Sequence, residues 1–156
     1  MEQRRNILRA LIGGAALWSI GSRTAAQPAF SSRRITVVTR GRGSDVLLIP
    51  GLASTAEVWR GVADRLAGTH RLHLVSVRGF GELAAGANAS GAVMAAVAAE
   101  VRRYIAEQGL ERPAIIGHSM GGQVGLRVAA DAGARIGRLM VVDSSPFFPA
   151  LISPQA

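Results

Sequence analysis

Gly117, His118, Ser119, Met120 and Gly121 place a serine between glycines two positions to either side. A serine hydroxyl can attack a carbonyl carbon, but at neutral pH it is a poor nucleophile. It needs an imidazole within hydrogen-bond reach, itself oriented by a carboxylate. In a chain of this composition the G-x-S-x-G spacing arises by chance roughly once in six sequences, so its surroundings must decide. The apolar run Ala114 to Ile116 comes directly before it and a helical pattern from Gly121 to Ala132 follows. Strand, sharp turn and helix are what a nucleophile elbow requires, with glycines where strand and helix crowd together.

A helix that starts beside Ser119 also brings free amides and a partial positive charge to any anion forming there. The Met120 N–H is the expected first donor to an oxyanion. The second is expected from Pro50, Gly51, Leu52 and Ala53, the loop leaving the apolar run Val46 to Ile49, with Leu52 N–H first and Ala53 in reserve. His118 and Ala53, with Phe147 and Phe148 further on, are expected to line the substrate pocket.

The partners of Ser119 are harder to find. The histidines are His70, His73 and His118, and none follows the serine. His70 and His73 flank the entry to an inner strand, at the wrong end of a parallel sheet, and read as surface or satisfied strand-edge residues. His118 adjoins the serine and at most lines the pocket. Asp143, after the apolar run Arg138 to Val142, is placed as a possible acid. The absence of cysteine removes thiolate nucleophiles and thiolate metal sites, and no metal or organic cofactor is implied. The absence of lysine removes Schiff-base chemistry.

The elements that must hold these residues alternate. Arg33 to Arg40 reads as an edge strand closed by a turn over Gly41 to Ser44, and Val46 to Ile49 as a strand covered on both faces. Ser54 to Glu57 has the form of a capping box opening a helix to Ala67, with Val58, Trp59, Val62 and Leu66 inward. Arg71 to Val77 is a second inner strand, followed by the glycine-rich Arg78 to Gly81 and a small-residue linker, Ala84 to Gly91. Ser90 is placed to cap a helix from Ala92 to Gln108 that buries Val93, Val97, Val101 and Ile105. Strand and helix in alternation predict an α/β protein with a mostly parallel sheet, flanking helices and a site beyond the carboxyl ends of the strands.

GHSMGG at the elbow and IPGLAS in the following loop resemble the α/β-hydrolase superfamily. VRGFG after the next strand resembles that family's DxRGxG segment, with Ser76 where an acid often lies and Pro50 where a histidine is frequent. The resemblance covers about 33–145, the amino-terminal half to two-thirds of a typical member. It implies the α/β-hydrolase fold without its last strands, with the triad histidine expected in a missing carboxy-terminal third. It also implies hydrolysis of carboxylic esters, less so amides, through an acyl-enzyme on Ser119. Acyltransferases, haloperoxidase-like enzymes and peptidases share the same elbow.

The chain has 156 residues and a formal charge of +8, and 49% of its residues are hydrophobic, which allows one domain with a sizeable core. Its 18 basic residues are all arginine, scattered without interleaved aromatics, so a small-molecule ester or amide is expected as partner and nucleic acid is not. Arg4, Arg5, Arg9 and Arg23 crowd the start, an apolar run spans Ala10 to Ile20, and Thr24, Ala25 and Ala26 follow. This reads as a twin-arginine-like export signal over 1–26, too short for a stable membrane span, ahead of a partial hydrolase domain over 27–156. The expected location is the periplasm or the medium. Two functions stay open: a serine hydrolase whose base lies outside this sequence and which is therefore inactive as written, and a non-catalytic binding or scaffold protein with a hydrolase-like sheet. Nothing in the residues sets the oligomeric state.

Overall fold

The computed structural model describes residues 29–131, 133 and 135–145; the expected export signal and the pocket residues Phe147 and Phe148 lie outside the described residues. Five strands, β1 (Ile35–Gly41), β2 (Ser44–Ile49), β3 (His70–Val77), β4 (Ala114–His118) and β5 (Arg138–Val142), form one sheet in the order β1-β3-β2-β4-β5. β1 runs antiparallel to β3 at one edge, and the other pairings are parallel. The predicted mostly parallel α/β sheet, with its amino-terminal strand at an edge, is the one observed.

Alternation along the inner strands builds two cores. Leu47, Ile49, Val75, Val77 and Ile115 face one side, where they meet α2 (Val93–Glu107) and α3 (Met120–Ala130) through Val97, Val101, Val124 and Val128. Val46, Leu48 and Leu72 face the other, against Trp59 and Ala63. Leu47, Leu48, Ile49 and Ile115 are fully buried. Burying such a side chain contributes about 2 kcal/mol each, so the central strands are the rigid platform of the molecule. Among the described residues no helix is long and apolar enough to cross a membrane.

The segment after β2 departs from expectation. Ala56–Trp59 is a 3₁₀ turn that leads into α1 (Arg60–Leu66). Its cap is Thr55, whose hydroxyl accepts from the Glu57 N–H at 3.4 Å, and not Ser54. The Glu57 carboxylate pairs with Arg60, so no capping box closes. A 3₁₀ turn advances three residues per turn, which rotates the apolar stripe: Trp59 and Ala63 go inward and Val58 is left exposed. α2 begins without a side-chain cap, so Ser90 does not play that part.

Candidate active site

Ser119 sits between the end of β4 and the start of α3 at φ 50°, ψ −118°, a conformation that costs a non-glycine residue about 1–3 kcal/mol. The surroundings hold it there. Its N–H donates to the Val142 carbonyl at 2.9 Å, and its carbonyl accepts from Gly122 and Gln123 at 2.9 and 3.2 Å. A Cβ at Gly117 would overlap the Gly121 carbonyl, and one at Gly121 would overlap the Ile49 carbonyl. Both glycines are thus required by close backbone approach, as the spacing predicts.

With Gly122 and Gln123 taken up by the Ser119 carbonyl, the Met120 N–H at the start of α3 has no hydrogen-bond partner among the described residues. The Pro50 to Ala53 loop comes up beside it. A Cβ at Gly51 would lie 3.3 Å from the Ser119 Cβ and 2.9 Å from His118 Nδ1, so only glycine lets the loop approach this closely. Leu52, next in the chain, is 66% exposed. Its N–H is also unpartnered among the described residues. The loop is anchored from below: buried Ser76 accepts the Ala56 N–H at 2.9 Å. Ala53 turns the chain with φ 58°.

Ser119, Met120 and Leu52 line one cavity of about 970 Å³, together with Phe80, Met94 and Asp143. His118 and Ala53, expected from the sequence beside the substrate, are not among its lining residues. In β4 Ile115 faces the α2–α3 core and Ile116 the α1 core, so His118, two residues after Ile116, points to the α1 side, toward Gly51. Asp143 stands at the cavity with φ 47°, its side chain 91% exposed and 4.0 Å from His118 Nε2. That separation is an ion-pair distance and too long for the hydrogen bond that would orient an imidazole.

The other histidines are engaged at the far end of the sheet. His70 Nδ1 lies 2.8 Å from the Thr69 hydroxyl. His73 is buried, with Nε2 2.9 Å from Asp45 Oδ1 and Nδ1 2.6 Å from the Tyr104 hydroxyl. Burial pushes the His73 imidazole below its ordinary value, against a smaller opposing pull from Asp45. The cavity wall formed by Phe80, Asn88 and Met94 escaped the sequence reading, although the glycine-rich loop after β3 and the apolar start of α2 both pointed to that region.

A strained serine at a strand-to-helix turn, open to a cavity on the carboxyl side of a parallel sheet, defines an α/β-hydrolase site. A family model described as alpha/beta hydrolase fold matches residues 46–155, and the chain belongs to that family. It is 33% identical over 112 residues to the pimeloyl-(acyl-carrier protein) methyl ester esterase of Aliivibrio salmonicida, covering 72% of this chain and 40% of that protein. It is 34% identical over 103 residues to the N-formylmaleamate deformylase of Pseudomonas putida, covering 66% of this chain and 38% of the other. Among solved structures, an alpha/beta hydrolase fold protein from Burkholderia ambifaria superposes with a TM-score of 0.66 at 25% identity, over 74% of this chain and 42% of its own. The chain therefore spans about 40% of the length of the curated relatives it matches.

Proposed function

We propose that this protein belongs to a serine hydrolase that cleaves carboxylic esters through an acyl-enzyme on Ser119. The observation that carries the reading is the Ser119 backbone, held at φ 50° beside a Met120 N–H that has no partner among the described residues, and against the Gly51 to Leu52 turn. Attack by Oγ on an ester carbonyl, its proton passing to water and from there to the leaving alkoxide, would turn the carbonyl oxygen into an oxyanion between the Met120 and Leu52 amides, where fixed donors stabilise developing charge. Collapse of that intermediate expels the alcohol and leaves the acyl group on Ser119; attack by water then releases the acid. The similarity to an esterase and to a deformylase supports hydrolysis at a carbonyl carbon.

None of the three histidines is positioned as the base, so this 156-residue chain is expected to acylate slowly and to deacylate more slowly still. Fixed amides and binding alone still leave roughly 10³-fold acceleration over water when a triad member is absent. Incubation with p-nitrophenyl acetate should therefore leave one acetyl group on the intact protein, seen by mass spectrometry and absent in Ser119→Ala. An unmodified protein, or an adduct that survives Ser119→Ala, would overturn the reading. The alternative is a non-catalytic binding protein with the same sheet, and the unmodified outcome is the one it predicts. We further propose export through residues 1–26, tested by sequencing the mature amino terminus from periplasm or medium; an intact Met1 on cytoplasmic protein would refute it.

A further inference from the structure

The cavity beside Ser119 is electrically polarised along the sheet. Its lining contains one basic residue, Arg78, and one acidic residue, Asp143. Arg78 directly follows β3 and Asp143 directly follows β5, whereas Ser119 directly follows β4. In the order β3-β2-β4-β5 the serine thus lies between the two charges, about 10 Å from the β3 end at two strand spacings and nearer the β5 end.

Arg78 is built into its place. Its N–H donates to the Arg34 carbonyl at 2.9 Å, its carbonyl accepts from the Asn88 side-chain amide at 2.9 Å, and its Nε donates to the Ser32 carbonyl at 3.2 Å. Asn88 is fixed in turn by Arg34, whose guanidinium donates to Asn88 Oδ1 at 2.9 Å and whose carbonyl accepts from Asn88 Nδ2 at 2.8 Å. Main chain and guanidinium are therefore ordered before any ligand arrives. The two terminal nitrogens, Nη1 and Nη2, have neither a hydrogen-bond acceptor nor a carboxylate partner among the described residues. In contrast, Arg71 and Arg103 each bind carboxylates. Besides Asn88, the same cavity wall holds the apolar residues Phe80, Ala85, Ala89 and Val93. In such surroundings a charge-assisted hydrogen bond is stronger than in water.

We propose that Arg78 is an anion subsite and that the ester accepted at Ser119 carries a carboxylate on its acid part, as in the half-esters of short dicarboxylic acids. This rests on the ester-hydrolase reading and names the substrate class for the same cavity. The carboxylate pairs with the Arg78 fork, the methylene chain crosses the apolar floor above β2, and the ester carbonyl reaches Ser119. Asp143 repels the carboxylate from the opposite end, which sets the direction of binding. No step of the chemistry passes through Arg78; it fixes which molecule is held and which way round.

The test is equilibrium binding to the Ser119→Ala protein, which removes turnover, using monomethyl adipate and dimethyl adipate in calorimetric titrations. The half-ester should bind about tenfold more tightly than the diester, with the margin shrinking as salt is added. Arg78→Gln should erase the preference, bringing half-ester binding down to the level of the diester in the same variant. Arg78→Lys keeps the charge but loses the two-pronged geometry and should retain part of the preference, so a poorly folding Gln variant leaves the test intact. Equal binding of the two esters, or an undiminished preference in either variant, would overturn the subsite. Acetylation of Ser119 in the otherwise unaltered chain separates the two readings: a half-ester preference without acetylation defeats the hydrolase alone, and acetylation without the preference defeats the subsite alone.

Discussion

The two ends of the sheet carry the same kinds of side chain in opposite states. At the amino end, Asp45 accepts from Arg71 at 2.9 Å and lies 2.9 Å from His73, which meets the Tyr104 hydroxyl at 2.6 Å. An acid, an imidazole and a hydroxyl are aligned there, yet every one has its partner and the imidazole is buried. At the carboxyl end Ser119 has a strained backbone, two nearby amides without partners among the described residues, and an open cavity. Hydrogen-bonding capacity satisfied within the protein stabilises the fold, whereas capacity left open is available to a substrate. Residue type alone does not separate these cases. The topology does, because the amino-end residues meet only through pairing of β2 with β3 and the packing of α2 over them.

The comparison can be broken most forcefully at the elbow. Gly121→Ala drives a methyl into the Ile49 and Pro50 carbonyls, backbone atoms that cannot swing aside. A loss of about 3 kcal/mol is expected in urea unfolding, together with loss of Ser119 acetylation in the molecules that remain folded. Tolerance of this substitution at full acetylation would mean that the tight bend is not what presents the serine.

At the other end the expected effect is on stability alone. Tyr104→Phe leaves His73 Nδ1 buried without a partner and should cost about 2 kcal/mol, with acetylation per folded molecule unchanged. The same network makes the fold acid-sensitive. Burial holds His73 below its ordinary value of 6.5 against the opposing hydrogen bond and charge of Asp45, and the Arg71 charge adds to the lowering. Below that pH the unfolded chain takes up a proton that the folded chain refuses, so stability falls as the pH falls. For Asp45, burial raises the carboxyl, but the hydrogen bonds and charges of Arg71 and His73 outweigh it and leave a net lowering from 3.8. Stability conferred by Asp45 is therefore present above about 3.8 and is lost further into acid. Urea midpoints measured from pH 8 to pH 4 should show the first loss in the parent chain and not in His73→Gln. An equal slope in both proteins would assign the acid sensitivity elsewhere.

What was legible in the sequence follows the range over which each feature is determined. The inner strands announced themselves as short apolar runs because both of their faces are buried. The elbow did so because two backbone approaches demand glycine at 117 and 121. The direction of His118 was not legible: it depends on the strand running through 118, beyond the apolar run that ends at 116. Val58 was misplaced because nothing local distinguishes a 3₁₀ turn from the first turn of an α-helix. The partnership of Asp45, His73 and Tyr104 joins residues 28 and 31 apart and needs a register that no single segment carries. The Ser119 cavity, assembled from loops after four strands and the start of α2, was legible only at its serine edge.

The smallest effect tests how loosely the carboxyl end is held. Ser54 and Thr55 are both hydroxyl residues ahead of the same helical segment, and the sequence alone favours Ser54 through its spacing to Glu57. In the structure Thr55 has the extended backbone of a cap, φ −110° and ψ −179°, and accepts the Glu57 N–H, while Ser54 reaches only the Leu52 carbonyl at 3.5 Å. Because the Thr55 bond is long and exposed, Thr55→Ala should cost about 0.5 kcal/mol, at the low end for a cap, and Ser54→Ala should change stability by less than the precision of the measurement. The loop just before the cap carries Leu52, so Thr55→Ala should also slow Ser119 acetylation slightly, through a donor less firmly held. A larger loss with Ser54→Ala than with Thr55→Ala would move the cap back one residue and, with it, the anchor of the oxyanion loop.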